Sequence, residues 1–116
     1  MTLEAVLNAI EKLGDDDVIF ARKPWTLDTE AEVGHFDAGS RIPTEMTSRG
    51  LEYFLEVFIA REEVLDGIKE FLFSNAEKCA LIIYYAEFDA FPEWSFERIR
   101  ASANEKSKNF VPQGNQ

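Results

Sequence analysis

The stretch that most constrains the fold lies at residues 74–90 and has the sequence SNAEKCALIIYYAEFDA. Its first four residues form a capping-box pattern. In this pattern the Ser74 side chain accepts a hydrogen bond from the third amide of the helix, and the Glu77 side chain accepts one from the first amide of the motif. The pattern predicts a helix over residues 75–90, although residues 81–85 also have strand propensity. At about 100° per residue this helix is apolar on nearly every side, which is typical of a helix at the centre of a fold. Its narrow polar strip comprises Lys78, Tyr85 and Asp89.

Shorter patterns on either side of this helix predict a mixed domain. Helical spacing predicts helices at residues 2–13, 61–73 and 92–100, with one or two further turns at 43–50. Short apolar or alternating runs predict strands at residues 18–21, 30–36 and 51–59, although 51–59 also fits helical spacing. This order favours a single α+β domain over residues 1–100, with a short, mostly antiparallel sheet packed with about four helices. The polar residues 101–116 predict a mobile tail.

Length and composition exclude several classes of protein. A chain of 116 residues suits one domain, and its 46% hydrophobic residues, with ten Phe, exclude a chain disordered throughout. A single cysteine, Cys79, cannot form an internal disulfide. The first 13 residues lack the basic start and unbroken apolar run of a signal peptide. No apolar run approaches the roughly 20 residues that span a bilayer. We therefore expect a soluble, cytoplasmic protein.

The charge balance bears on the kind of partner. The chain has 22 acidic and 12 basic residues, for a net charge of −10. The excess is concentrated before Arg98, because the first 97 residues hold 21 acidic and eight basic residues, a balance of −13. Nucleic acid and anionic lipid are unfavourable partners for such a surface, since both are negatively charged. The composition favours a basic protein partner.

Reactive groups are few in this sequence. The single His35 and the single Cys79 allow only one Cys–His pair, and Cys79 falls on an apolar helix face where thiols usually pack. A zinc site would need two carboxylates besides these two residues. Asp15–Asp17 are consecutive rather than alternating, which favours a solvated loop over a calcium site. The glycines form no phosphate-binding loop. We therefore expect no metal, no cofactor and no catalytic residue.

Glu87 is the carboxylate with two open interpretations. It falls between Ala80 and Ile83 on the face of the helix opposite Lys78, and burial there would raise its pKa unless a basic side chain paired with it. One interpretation is a general acid, which would make the protein a hydrolase. The favoured interpretation is a structural salt bridge to Arg22 or Arg61.

Two groups of carboxylates with a tryptophan are candidate contacts for a protein partner. Tryptophan supplies contact area from which water is excluded, while carboxylates steer association and pair with Lys or Arg. The alternative for each tryptophan is a place in the core. The candidate contacts are Asp15, Asp16, Asp17, Trp25, Asp28, Glu30, Glu32, Glu87, Asp89, Glu93 and Trp94.

Two segments resemble a family of small acidic bacterial immunity proteins from toxin–immunity pairs, including those of contact-dependent growth inhibition. These are residues 13–25, LGDDDVIFARKPW, and residues 84–94, YYAEFDAFPEW. The resemblance covers about residues 1–97 and carries no catalytic residue. It implies a cytoplasmic inhibitor that covers the basic active site of a toxin domain, often a nuclease. The alternative is a small acidic regulatory or adaptor module unrelated to toxins.

Overall fold

The computed structural model describes residues 1–109, with side chains described for residues 1–101. A three-stranded antiparallel sheet has the order β2-β1-β3, formed by β1 (Val18–Ala21), β2 (Ala31–Gly34) and β3 (Glu52–Glu56). The α+β prediction is confirmed. The α-helices are α1 (Leu3–Asn8), α2 (Thr44–Ser48), α3 (Val57–Ile59), α4 (Asp66–Ile68), α5 (Asn75–Phe88) and α6 (Glu93–Asn109). A 3₁₀ turn, Ile10–Lys12, follows α1, and a π-helical segment, Ala60–Leu65, joins α3 to α4.

The capping signals in the sequence operate as predicted. The Glu77 amide donates to Ser74 Oγ at 3.1 Å, and the Ser74 amide donates to Glu77 Oε1 at 2.8 Å. These bonds satisfy two amides that have no partner within α5. The helix ends at Phe88, two residues earlier than predicted, because Asp89 adopts a left-handed conformation with φ of 54°.

The predicted strand over residues 51–59 is wrong in its second half, where the chain is helical from Val57 to Ile68. The Val57 amide donates to the Asp17 carbonyl at 3.0 Å and so closes the ladder with β1. The predicted helix at 61–73 accordingly begins earlier and ends at Ile68.

A β-bulge in β3 interrupts the predicted alternation. Ile19 pairs with Leu55 and Phe20 pairs with Tyr53, which leaves Phe54 as the extra residue. Phe54 and Leu55 are therefore both buried, and the strand bends at this point.

Apolar side chains cover both faces of the sheet, which explains why all four residues of β1 are buried. Ile19 belongs to the main core, together with side chains of α1, α3 and α5. Phe20 belongs to a smaller cluster on the opposite face, with Met46 of α2 and Leu51. α2 packs close to the sheet at Gly34. A Cβ atom added at Gly34 would lie 2.8 Å from Met46 Cε.

The last helix is longer than the sequence predicts. α6 continues past Arg100 to Asn109, and the rest of the predicted tail lies outside the described residues. Its first turns are held by Arg98, which donates to Glu77 at 2.6 Å and to the Leu72 carbonyl at 2.7 Å. In the part of the chain that the structure describes, no helix combines the length and the apolar character required to cross a bilayer.

Replacing Ser74 with Ala tests the role of the capping box. We expect Ser74→Ala to lower the free energy of unfolding by about 1 kcal/mol, because the Glu77 amide loses its acceptor. Urea unfolding measures the change. Ser48→Ala is the control, since the Ser48 hydroxyl only donates to the Glu45 carbonyl on the exposed surface of α2. Equal losses in the two variants would contradict the assignment.

Candidate partner-binding groove

An open groove of about 360 Å³ runs along one side of α5. We call it the α5 groove. Three of its large apolar side chains are exposed, with 36% of Leu27, 57% of Phe88 and 39% of Trp94 accessible to solvent. The full lining comprises Thr26, Leu27, Ala76, Ala80, Ile83, Tyr84, Glu87, Phe88 and Trp94.

The groove exists because only one side of α5 is covered. Cys79, Leu81 and Ile82 are buried in the main core, whereas Ala80 on another side of the helix is exposed. The expectation that α5 lies at the centre of the fold is therefore wrong. The apolar residues all around this helix serve two surfaces, one packed against the domain and one facing solvent.

Hydrogen bonds to the start of α1 position the Leu27 wall of the groove. The Glu4 amide donates to the Leu27 carbonyl at 2.9 Å, and the Leu3 amide donates to the Thr29 carbonyl at the same distance. Both amides lie in the first turn of α1, where backbone donors have no partner within the helix. The loop is thus fixed to a helix rather than left free.

Aromatic packing positions the two rings on the groove. The Trp94 ring lies 6.4 Å from the Phe73 ring, and Phe88 lies 4.5 Å from Tyr84, one turn earlier on α5. Trp94 stands in the first turn of α6, next to Ser95, whose buried hydroxyl donates to the Pro92 carbonyl at 2.7 Å.

Glu87 lies on the groove and is exposed, so the prediction that it is buried is wrong. The predicted salt bridge is also wrong: Arg22 pairs with Glu30 at 2.9 Å, and Arg61 pairs with Asp15. In the described part of the chain, Glu87 stands on the exposed side of α5, between the walls formed by Leu27 and Trp94. The burial on which the general-acid interpretation relied is therefore absent.

One predicted contact carboxylate lies in the groove, and three others are next in sequence to residues that line it. Glu87 lines it, and Asp28, Asp89 and Glu93 directly adjoin Leu27, Phe88 and Trp94 in the chain. All four are exposed, and none forms an ion pair with another described residue. Asp28 accepts a hydrogen bond from Thr26 Oγ1 at 2.7 Å. Of the predicted contacts, Glu87 and Trp94 line the groove together.

Glu30 and Glu32 instead belong to a network on another surface. Arg49 contacts Glu30 at 2.5 Å and Glu32 at 3.2 Å, and Arg22 also contacts Glu30. The hydrogen bond from Arg49 is the main cause that lowers the pKa of Glu30 below its ordinary value. This network joins α2 to the start of β2.

Of the remaining predicted contacts, all except Asp16 take part in interactions within the domain. Asp17 accepts from the Gly14 amide at 2.7 Å and lies 3.0 Å from His35, while Asp16 is exposed. Trp25 is half-buried, donates to the Ala21 carbonyl at 3.2 Å and packs edge-on against a core ring. The structure thus places Trp25 against the core and Trp94 on the groove.

Cys79 and His35 contact different partners. The buried Cys79 thiol donates to Asn8 Oδ1 at 3.7 Å, and burial, followed by the charge of Glu4, raises the pKa of this thiol. His35 is exposed beside Asp17. Among the residues with described side chains, no three His, Cys, Asp or Glu residues are grouped so as to hold a metal ion.

Comparisons with protein-family profiles, curated proteins and solved structures find no match. The resemblance to immunity proteins therefore stays a prediction.

The charge network of Arg49 gives a pH-dependent prediction. A carboxyl group whose pKa is lowered by folding stabilises the protein above its unfolded pKa, and this stabilisation is lost as the pH falls through the folded value. We expect Arg49→Gln to raise the pKa of Glu30 towards its ordinary value and to make stability less dependent on acidification. NMR titration of the Glu30 side-chain carbon measures the pKa.

Arg41→Gln is the control for this titration, because no ion pair in the described residues involves Arg41. An unchanged Glu30 titration in Arg49→Gln, or an equal change in both variants, would contradict the network.

Proposed function

We propose that this protein is a non-enzymatic inhibitor that binds a basic protein domain through the α5 groove, as the immunity protein of a toxin–immunity pair. The observation that carries the proposal is the exposed apolar groove with Glu87 in its lining and with Asp28 and Glu93 next in sequence to Leu27 and Trp94. In this role the protein acts in the cytoplasm of the cell that produces the toxin.

The apolar part of the surface supports protein binding. Three of the seven large apolar side chains exposed in the described residues, Leu27, Phe88 and Trp94, line this one groove. Apolar side chains gathered on an exposed surface mark interaction sites, and aromatic residues supply much of the binding energy at protein interfaces. Leu27 and Trp94 are held in place by backbone and ring contacts, so little ordering is needed when a partner binds.

The charges around the groove support a basic partner. Unpaired exposed carboxylates lose no internal ion pair when they contact Lys or Arg, unlike Glu30 and Glu32, which already pair with Arg49. A nuclease must attract phosphate, and its active site is therefore basic. An acidic protein competes with nucleic acid for that site because its carboxylates carry the same sign of charge as phosphate. Its long-range electrostatic field also speeds association with the basic site.

A regulatory or adaptor module would use the same surface on a different partner. The two functions differ in which protein binds and in what binding does to the cell. An immunity protein binds the toxin encoded beside it and restores growth when that toxin is expressed.

The test uses the toxin domain encoded by the neighbouring gene and a matched pair of Phe-to-Ala variants. We expect wild-type protein to bind the domain with nanomolar affinity and to restore growth. Phe88→Ala removes a ring from the groove and should weaken binding at least about tenfold, or about 1.4 kcal/mol. Phe58→Ala removes a similarly exposed ring that does not line the groove, so affinity should change less than about twofold.

Salt dependence separates charge complementarity from apolar contact. We expect the association rate to fall as salt rises from 0.05 to 0.5 M (roughly a threefold shorter Debye length), because ions screen the acidic field. Absence of binding to the neighbouring toxin domain would overturn the immunity function. Equal effects of Phe88→Ala and Phe58→Ala would overturn the groove as its surface.

A further inference from the structure

A second pocket, of about 320 Å³, lies on the other side of α5, between β3 and the helical residues 57–68. Because two tyrosines line it, we call it the tyrosine pocket. The tyrosine pocket and the α5 groove have no lining residue in common. The lining of the tyrosine pocket comprises Tyr53, Phe54, Leu55, Ile59, Glu63, Tyr85, Ala86 and Asp89.

Three local departures from regular structure supply the walls of this pocket. The bulge at Phe54 bends β3 so that three consecutive residues, 53–55, reach the lining. Glu63 stands in the π-helical segment Ala60–Leu65, and π-helical turns are rare and frequent at functional sites. Asp89 is held in the left-handed conformation that ends α5, and its amide donates to the Tyr85 carbonyl at 2.8 Å.

The charge in this pocket has one sign. Glu63 and Asp89 are the charged residues of the lining, and neither forms an ion pair with another described residue. Burial raises the pKa of Tyr53, and the charges of Glu56 and Asp89 act in the same direction. Burial is the main cause that raises the pKa of Tyr85, followed by the charges of Glu63 and Asp89 and a hydrogen bond between Tyr85 and Glu63. Both phenols are therefore neutral near pH 7, and the pocket is anionic.

We propose that the tyrosine pocket binds one arginine side chain of the partner protein. A guanidinium group is planar, stacks on aromatic rings and carries five N–H donors in a fixed arrangement. Tyr53, which stacks on Phe36, and Tyr85, which packs against Phe91, contribute rings to the lining, and Glu63 and Asp89 contribute acceptors. The half-buried side chain of Ile59 suits the aliphatic stem of arginine, whereas Phe54 and Leu55 line the pocket as buried residues. Lysine presents a compact, strongly hydrated charge that cannot use two separate acceptors and a ring face equally well.

The identity of the arginine's source rests on the proposed function, since the partner is the protein that docks on the α5 groove. A partner that contacts both sites would straddle α5, with its apolar contacts on one side and its arginine on the other. The tyrosine pocket would then add specificity, because a partner without an arginine at that position would leave two carboxylates unpaired.

The test uses a probe that contains no partner protein. N-acetyl-arginine N-methylamide presents the side chain with uncharged ends, and N-acetyl-citrulline N-methylamide is its uncharged isostere. We expect the arginine probe to shift the ring resonances of Tyr53 and Tyr85 with a dissociation constant on the order of 1 mM, as befits a single side chain. The citrulline probe and the corresponding lysine probe should bind at least about fivefold more weakly.

Matched variants assign the binding to the pocket. Glu63→Gln removes the charge of a lining residue, and Glu62→Gln removes the charge of its exposed neighbour, which lies outside the pocket. We expect Glu63→Gln to weaken the arginine probe at least about fivefold and Glu62→Gln to change it less than about twofold. Circular dichroism confirms that both variants fold.

Several results would overturn the proposal. They are the absence of shifts at Tyr53 and Tyr85, equal binding of the citrulline or lysine probe, and equal effects of Glu63→Gln and Glu62→Gln. Failure here leaves the α5 groove intact, because Phe88→Ala tests the groove separately. Binding of the arginine probe without binding of the neighbouring toxin domain would overturn the immunity function alone.

Discussion

The uneven packing of α5 is the constraint on which the rest of this structure depends. Cys79, Leu81 and Ile82 attach the helix to the main core, and the capping box at Ser74 and Glu77 fixes where it begins. Among the described residues, the exposed side of the helix forms the apolar α5 groove. Tyr85 and Ala86, one turn after Leu81 and Ile82 on the side that packs on the domain, form a wall of the tyrosine pocket. A single helix thereby supplies both the core and the candidate binding surface.

The carboxylates of this acidic protein fall into two groups with different roles. Glu30 and Glu32 pair with Arg49, and Asp15 pairs with Arg61, so their charges stabilise contacts within the domain. Glu63, Glu87 and Asp89, which line the two pockets beside α5, form no ion pair with another described residue and keep their charge available for an external cation. The positions of the carboxylates that lack an ion pair therefore say more about function than the net charge of the whole protein does.

Local signals in the sequence predicted those elements that local physics determines. The capping box located the start of α5. The apolar run at residues 18–21 predicted a buried strand, which is confirmed because both faces of β1 are covered. Prediction from the sequence failed where the structure depends on contacts between residues that are far apart in the sequence. The end of β3 depends on the hydrogen bond from the Val57 amide to the Asp17 carbonyl, and the pairing of Glu30 depends on Arg49.

The candidate site could be predicted only in part. Periodicity showed that α5 was apolar all around but could not indicate which side would stay exposed. Glu87, Trp94 and Asp89 were found from sequence, whereas Ala76, Ala80 and Tyr84 of the groove and the other residues of the tyrosine pocket were not.

Solvent access along α5 tests the central claim most directly. A soluble paramagnetic agent relaxes the NMR signals of methyl groups that it can approach, so it compares the Ala80 methyl group with the methyl groups of Ile82. The account predicts strong relaxation of Ala80, which faces the groove, and little relaxation of Ile82, which is 1% exposed. Equal protection of the two residues in the monomeric protein would mean that α5 is enclosed on all sides, and it would contradict the account.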